Sequence, residues 1–134
     1  MKWRLASLLL LVVITNTTNT EVIINSNVVA TKEEVKQAFL GKKKLWNNGL
    51  PVIIFVLPIN HIATKLFAQN VLGITSISLF NMYDTMQDCH NKIIEVLTEA
   101  KMIISVATTI GAIGYISNSI IIQDNNQFIK VIRY

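Results

Sequence analysis

The sequence is poor in cysteine, which excludes one common source of stability. Its 134 residues include a single cysteine, Cys89, so no disulfide can form within the chain. A metal site or a nucleophilic site at Cys89 would need partner residues at suitable spacing, and the neighbouring His90 alone does not supply them. We therefore expect a fold held together by packing, with His90 on a helix surface.

Motifs for catalysis are also missing. The chain has no nucleophile elbow, no zinc-binding motif, no P-loop and no pair of carboxylates at a recognisable spacing. These absences predict a protein that is not an enzyme and has no catalytic residue, no metal and no cofactor.

A strong excess of one charge is missing as well. The chain has 12 basic and 8 acidic residues, and without Lys2 and Arg4 of the N-terminal segment the balance is 10 against 8, or +2. We interpret the run Lys42-Lys43-Lys44 as a solvated loop after a helix end. The predicted late helix carries balanced charges, which does not favour a membrane-surface role for it. We predict no nucleic-acid partner.

The N-terminal apolar run is too short for a membrane span. Lys2 and Arg4 precede an apolar run from Leu5 to Ile14, and a polar stretch to Thr20 follows; a spanning helix needs about 20 apolar residues. This layout predicts a signal peptide over residues 1–20, cleaved before Glu21, and one domain over 21–134. No cysteine directly follows the run to carry a lipid anchor, so we expect a periplasmic or secreted protein without stable membrane insertion.

The first half of the domain has clear strand and helix signals. Residues 21–25 are short and β-branched, which predicts a strand. Thr31 and Glu34 form a capping box for a helix that Gly41 ends. The apolar stretch Pro51–Pro58 predicts a strand buried on both faces, as in a parallel sheet covered by helices.

The second half alternates between helical and strand patterns. Asn60 is the predicted cap of the next helix, which ends at Gly73, and Thr75 or Ser76 starts another. The remaining predictions are a helix over about 88–104, strands over 111–116 and 128–133, and a turn at 124–126. This order predicts an α/β fold with a sheet flanked by helices.

Two motifs carry a family resemblance. The segments Phe39-Leu40-Gly41-Lys42, with Trp46 and Gly49 after it, and Gly111-Ala112-Ile113-Gly114-Tyr115 occur in this order before and after the central helices. Together they resemble the phosphate-binding-protein-like domain, the short relatives of phosphate ABC transporter substrate-binding proteins. The resemblance implies a single lobe of a periplasmic-binding-protein-like fold with a mixed sheet. Alternatively, the aromatic residues mark the core and Gly111 and Gly114 mark turns.

The resemblance also suggests where an anion would bind. In that family the loop after the second strand reads Pro-x-Gly-Ser with a later arginine; here His61 and Thr64 stand at the serine and arginine positions. A Thr-Gly loop of the family has no counterpart near Thr85. The remaining candidate ligands for a phosphate or another small oxyanion are Ser26, Asn27, Asn60, His61 and Thr64, with the amides of residues 60–62.

Two functions therefore remain open at the level of sequence. The first is an exported solute-binding-like protein that captures a small oxyanion weakly. The second is an exported accessory or interaction protein that keeps the fold, has lost the anion site and acts through an envelope protein partner.

Overall fold

A five-stranded mixed sheet organises the chain in a computed structural model that describes residues 20–86, 92–117 and 127–134. The strands are β1 (Thr20–Asn25), β2 (Ile53–Val56), β3 (Lys92–Glu95), β4 (Ala112–Ser117) and β5 (Ile129–Arg133). The helices are α1 (Lys32–Phe39), α2 (Ile62–Phe67), α3 (Ser76–Met86) and α4 (Glu99–Thr108), and a π-helical turn, Ala68–Leu72, continues α2. The predicted signal segment up to residue 19, the pair Cys89-His90 and the predicted turn at 124–126 lie outside the described residues.

The strands run in both directions. Their order across the sheet is β3-β2-β4-β1-β5. β2 is parallel to β3 and β4, whereas β1 is antiparallel to β4 and β5. The parallel strands therefore start on one side of the sheet, here called the amino side, and end on the other, the carboxyl side. The predicted α/β fold with a mixed sheet flanked by helices is confirmed.

Different helices cover the two faces of the sheet. Successive strand residues point to opposite faces, so Gly114 and Tyr115 of β4 meet different layers. Met102 of α4 packs against Gly114, while Phe67 of α2 stacks on Tyr115 with ring centroids 4.2 Å apart. Phe39 of α1 joins the second layer, since its ring centroid lies 4.6 Å from that of Phe67. The hydrophobic core thus fills both spaces between helices and sheet.

Local sequence signals predict several elements correctly. Thr31 caps α1, and the capping box with Glu34 is complete in both directions. Gly41 follows the helix end with φ 77°. β2 has parallel neighbours on both sides, as its uninterrupted apolar sequence predicts. The strands predicted over 21–25, 111–116 and 128–133 correspond to β1, β4 and β5.

The helix predicted over about 88–104 is wrong. Within the described part of this range, Lys92–Glu95 form β3, which pairs in parallel with β2. α4 begins only at Glu99 and is capped by Thr98, whose hydroxyl accepts a hydrogen bond from the N–H of Lys101. The β-branched centre of β3 suits a strand, and pairing with β2 decides between the two conformations.

Two helices expose large apolar side chains. Ile62 of α2 is 58% exposed and Ile77 of α3 is 64% exposed. The buried residues of these helices are Ala63, Thr64 and Phe67 in α2, and Leu79 and Tyr83 in α3. Small side chains at 63 and 64 let α2 approach the sheet closely, which periodicity of large apolar residues does not reveal.

Gly114 has a packing role rather than a turn role. It lies inside β4, and a Cβ at this position would overlap the sulfur of Met102. Gly111, by contrast, precedes β4 in a turn with φ 83°.

β1 begins at Thr20, the last residue of the predicted signal peptide. Thr20 is buried and pairs with Ser117 of β4. Cleavage before Glu21, which stays a prediction, would remove this paired residue from the strand. Across the described ranges, no helix has the length and apolar character needed to cross a membrane.

Candidate functional site

The direction of β1 divides the five predicted ligands into two groups. Ser26 and Asn27 follow β1, which is antiparallel to β4, so they lie on the amino side of the sheet. Asn60, His61 and Thr64 follow β2, which is parallel to β4, so they lie on the carboxyl side. The six residues of β1 separate the two sides by about 20 Å at ~3.3 Å per residue. One small ligand cannot contact both groups.

Ser26 and Asn27 form a turn that holds neighbouring segments together. The N–H of Ser26 donates to the carbonyl oxygen of Phe128 at 2.9 Å, and the N–H of Asn27 donates to Oδ1 of Asn25 at 3.0 Å. The side-chain amide of Asn25 donates to the carbonyl oxygen of Val106 near the end of α4, at 2.9 Å. The contact with Val106 satisfies a carbonyl oxygen near the end of α4, which has no partner within the helix. The turn therefore has a structural role, because it connects β1 to α4 and to the segment before β5.

His61, rather than the predicted Asn60, caps α2. Its Nδ1 accepts a hydrogen bond from the N–H of Ala63 at 3.0 Å, whereas Asn60 is exposed. A ring nitrogen that accepts an N–H carries no proton, so this contact fits a neutral imidazole protonated on Nε2. In this state His61 offers a ligand one neutral N–H donor and no positive charge.

Thr64 is turned into the protein. Its Oγ1 lies 2.9 Å from the hydroxyl oxygen of Tyr115 and donates toward the carbonyl oxygens of Pro58 at 2.9 Å and Leu57 at 3.2 Å. The N–H of Leu57 donates to the Tyr115 hydroxyl at 3.0 Å. Since Thr64 is fully buried, it holds the loop between β2 and α2 and does not face a solute.

Tyr115 is the centre of this buried network. Burial raises the pKa of Tyr115 to about 12, while hydrogen bonds with Thr64 and Leu57 oppose the shift. The hydroxyl is therefore neutral at physiological pH and serves as a hydrogen-bonding group. Its position explains the last residue of the Gly111–Tyr115 motif, because Tyr115 ties β4 to the loop that follows β2.

A groove beside α2 contains polar residues that sequence reasoning missed. It encloses about 460 Å³. Its lining consists of Lys65, Gln69, Gly73, Ile74, Thr75 and Ser76. Lys65 is exposed and, among the described residues, makes no ion pair. We call this groove the Lys65 groove.

The sequence does contain a signal for this groove. His61, Lys65 and Gln69 recur at a spacing of four residues, and residues four apart in a helix lie on one face. Lys65 lies within α2, and His61 is its N-cap. The first turn of α3, which begins at Ser76, carries no acidic residue, so its positive end is not neutralised by a carboxylate of its own.

The carboxyl side of the sheet already holds a carboxylate. Glu99, in the first turn of α4, accepts a hydrogen bond from the N–H of Ser117 at the end of β4. In open α/β sheets, ligands bind outside the carboxyl ends of the strands. At this point an incoming anion would meet the negative charge of Glu99, which disfavours anion binding between β4 and α4.

Acidic side chains also line a second cleft, on the Tyr115 face of the sheet. This cleft of about 250 Å³ includes Asp84 of α3 and Glu95 of β3. Across residues 20–86, 92–117 and 127–134, no three His, Cys, Asp or Glu side chains gather in a way that could hold a metal ion.

Solved structures with the same fold are substrate-binding proteins. A protein from Clostridium perfringens, described as a phosphate ABC transporter substrate-binding protein with bound phosphate, is 19% identical with a TM-score of 0.55, over 82% of this chain and 42% of that chain. An ABC-type phosphate transport receptor from Vibrio cholerae is 13% identical with a TM-score of 0.58, over 86% and 45%. PstS from Borrelia burgdorferi is 14% identical with a TM-score of 0.53, over 75% and 41%.

These likenesses establish the fold. No protein-family model and no curated protein matches the sequence. The chain spans less than half the length of the solved structures that it matches. It therefore shares the α/β fold of somewhat less than half of each of these solved structures.

Proposed function

We propose that the protein is exported and captures a small oxyanion such as phosphate weakly, as a short relative of the phosphate-binding proteins. The observation that carries this proposal is the fold shared with the three solved structures, which extends over 75–86% of the chain. One of these structures contains bound phosphate. The basic residues Lys2 and Arg4 and the apolar run that follows them support export. Affinity is expected to be weak because Thr64, one of the ligands that the resemblance suggests, is buried and bonded inside the protein.

The Lys65 groove is the favoured place for the oxyanion. Lys65 supplies a positive charge, and Ser76 adds a hydroxyl group to the lining. The Thr75 hydroxyl is already bonded at the start of α3, where it donates to Oγ of Ser78 at 2.9 Å and accepts from the N–H of Ser78 at 3.1 Å. His61 can add its Nε2–H from the same face of α2. Hydrogen bonds between a charged donor and a phosphate oxygen are stronger than neutral ones, so Lys65 should contribute most of the affinity.

None of the five ligands predicted from sequence is among the residues that line the groove. His61 caps α2 four residues before Lys65 in the chain, and the exposed Asn60 precedes it. Thr64 is committed to Tyr115 and Pro58. Ser26 and Asn27 are on the other side of the sheet and take no part in the proposed site.

Thermal unfolding in different anions tests this function. Phosphate, sulfate and chloride would be compared at matched ionic strength on the wild-type chain, Lys65→Gln and the control Lys101→Gln. A ligand at a hundredfold excess over its Kd adds about 2.7 kcal/mol to the free energy of unfolding, which raises Tm by several degrees in a domain of this size. We expect a phosphate-selective rise in the wild type and in Lys101→Gln, and a much smaller one in Lys65→Gln.

The second candidate is an accessory protein that has lost the anion site and binds an envelope protein. Two observations favour it: Thr64 is used inside the protein, and Glu99 places a carboxylate on the Ser117 amide. This candidate predicts that phosphate leaves Tm unchanged in all three proteins. A flat response up to millimolar phosphate would therefore contradict oxyanion capture and favour the accessory role.

A further inference from the structure

Four of the exposed apolar side chains belong to connections on the amino side of the sheet. Val29 is 72% exposed, Leu45 56%, Ile110 55% and Phe128 56%. They come from four different connections: after β1, before β2, before β4 and before β5. Because β1 is antiparallel to its neighbours, all four of these strand ends lie on the same side of the sheet.

Hydrogen bonds join these four connections into one surface. The bonds are Trp46 Nε1 to the Gly111 carbonyl at 2.9 Å, Asn48 Nδ2 to the Asn27 carbonyl at 3.3 Å, and Ser26 N–H to the Phe128 carbonyl at 2.9 Å. The loops are thus held to one another, and their apolar side chains form a common set. We call this set, with the lysines described next, the amino-side surface.

Lysines accompany the apolar residues. Lys42 and Lys44 are exposed, and neither makes an ion pair among the described residues. Lys43 pairs with Glu34 at 3.5 Å. The connection that carries Leu45 therefore presents two exposed lysines without an ion pair among the described residues.

This composition favours a lipid surface over a protein partner. Protein interfaces are depleted in lysine and enriched in tryptophan, tyrosine and arginine, whereas here the charges are lysines and most of the apolar residues are aliphatic. Lysines close to an anionic bilayer are attracted to it, each strengthening binding about fivefold. Apolar side chains add to this attraction by entering the boundary between headgroups and acyl chains.

We propose that the amino-side surface docks the protein reversibly on an anionic lipid surface. Val29, Leu45 and Ile110 enter the headgroup region, and Lys42 and Lys44 contact the lipid phosphates. This docking is peripheral and needs no membrane-spanning helix. It is independent of oxyanion capture, since it involves neither Lys65 nor His61.

Vesicle co-sedimentation tests the proposal with the full chain. The vesicles would contain phosphatidylcholine alone or with about a third of phosphatidylglycerol, at low and at physiological salt. The variants are Lys42→Gln/Lys44→Gln for charge and Leu45→Gln/Ile110→Gln for apolar contact. Lys101→Gln and Ile104→Gln serve as controls, since both residues are exposed on α4. All carry the same N-terminus, so differences between them report the mutated surface.

We expect binding to the anionic vesicles to fall on the order of twentyfold in Lys42→Gln/Lys44→Gln, to fall clearly in Leu45→Gln/Ile110→Gln, and to persist in both controls. The expected salt dependence of the wild type disappears in the lysine variant. Equal binding of all variants would overturn the proposal, and so would a failure of the wild type to prefer anionic vesicles. In the second case, an acidic protein partner would be the alternative ligand for Lys42 and Lys44.

Discussion

The indole nitrogen of Trp46 donates a hydrogen bond to the carbonyl oxygen of Gly111 at 2.9 Å. This contact joins the two motifs that are most distinctive in the sequence, 65 residues apart. Both groups are buried, and a buried carbonyl without a partner costs about 1–3 kcal/mol. The motifs thus mark a packing contact between the loop before β2 and the turn before β4.

Gly111 should tolerate no side chain at this contact. It has φ 83°, and a Cβ would overlap the carbonyl oxygen of Pro51. The positive φ alone costs about 1–2 kcal/mol for alanine, and the overlap adds to this. We expect Gly111→Ala to lower the free energy of unfolding by more than about 2 kcal/mol, measured by urea denaturation.

Gly49 offers a matched control for that substitution. It has φ 86°, but nothing lies within 4 Å of an added Cβ. Gly49→Ala should therefore cost only the conformational part, about 1–2 kcal/mol. Equal losses of unfolding free energy at the two positions would show that the close approach of Gly111 to Pro51 does not affect stability.

The hydroxyl of Tyr115 should stabilise the loop between β2 and α2. Tyr115→Phe removes the acceptor of the Leu57 N–H and the partner of Thr64, so we expect a loss of about 1–3 kcal/mol. A double-mutant cycle with Thr64→Val measures how far the two hydroxyls depend on each other. Coupling of at least about 0.5 kcal/mol is expected; strictly additive effects would contradict a shared network.

The same tyrosine predicts loss of stability at high pH. Its pKa is raised to about 12 in the folded protein from 10.0, mainly by burial. Since the unfolded chain loses this proton first, the stabilising contribution is complete below pH 10 and is lost as pH rises toward 12. The loss reaches at most about 3 kcal/mol for two pKa units. Burial also raises the pKa of Tyr83, which acts in the same direction.

Urea denaturation at several pH values between 9 and 12 checks this dependence. Tyr115→Phe should show a smaller decline than the wild type, with the remainder due to Tyr83 and other groups. A decline of the same size in both proteins would mean that Tyr115 does not contribute to it.

The capping role of His61 in α2 can be measured separately from any role in ligand binding. His61→Ala removes the acceptor for the Ala63 N–H and should cost about 1 kcal/mol, as expected for loss of an N-cap. His61→Asn keeps a side-chain acceptor at the cap and should restore most of this stability. Thermal unfolding of both variants measures the difference, and equal destabilisation would argue against the cap.

The sequence predicts those elements whose signals are local. The capping box at Thr31 and the buried apolar strand β2 depend on neighbouring residues only, and both are confirmed. β3 was missed because residues 92–95 suit either a helix or a strand, and its pairing with β2 decides. Thr98 followed by Glu99 is a typical N-terminal helix signal, and it indicates that a new helix, α4, begins there.

The candidate site is less predictable for a physical reason. Ser26 and Asn60 both follow apolar strands, but only the relative direction of those strands separates them, and a sequence does not contain this direction. Thr64 was assigned to a ligand because its position in the chain matches an arginine in the family. Its burial against Tyr115 arises from the contact of α2 with β4, which no local pattern encodes.

An NMR titration of the ¹⁵N-labelled chain with phosphate tests the central claim most directly, with chloride as the control at equal ionic strength. The account predicts saturable shifts of the backbone amides of Lys65, Gln69, Thr75 and Ser76, with smaller shifts at His61 and none at Ser26 or Asn27. The same titration of Lys65→Gln should show affinity at least tenfold lower. Shifts confined to Ser26 and Asn27, or none that distinguish phosphate from chloride, would contradict oxyanion capture at the Lys65 groove.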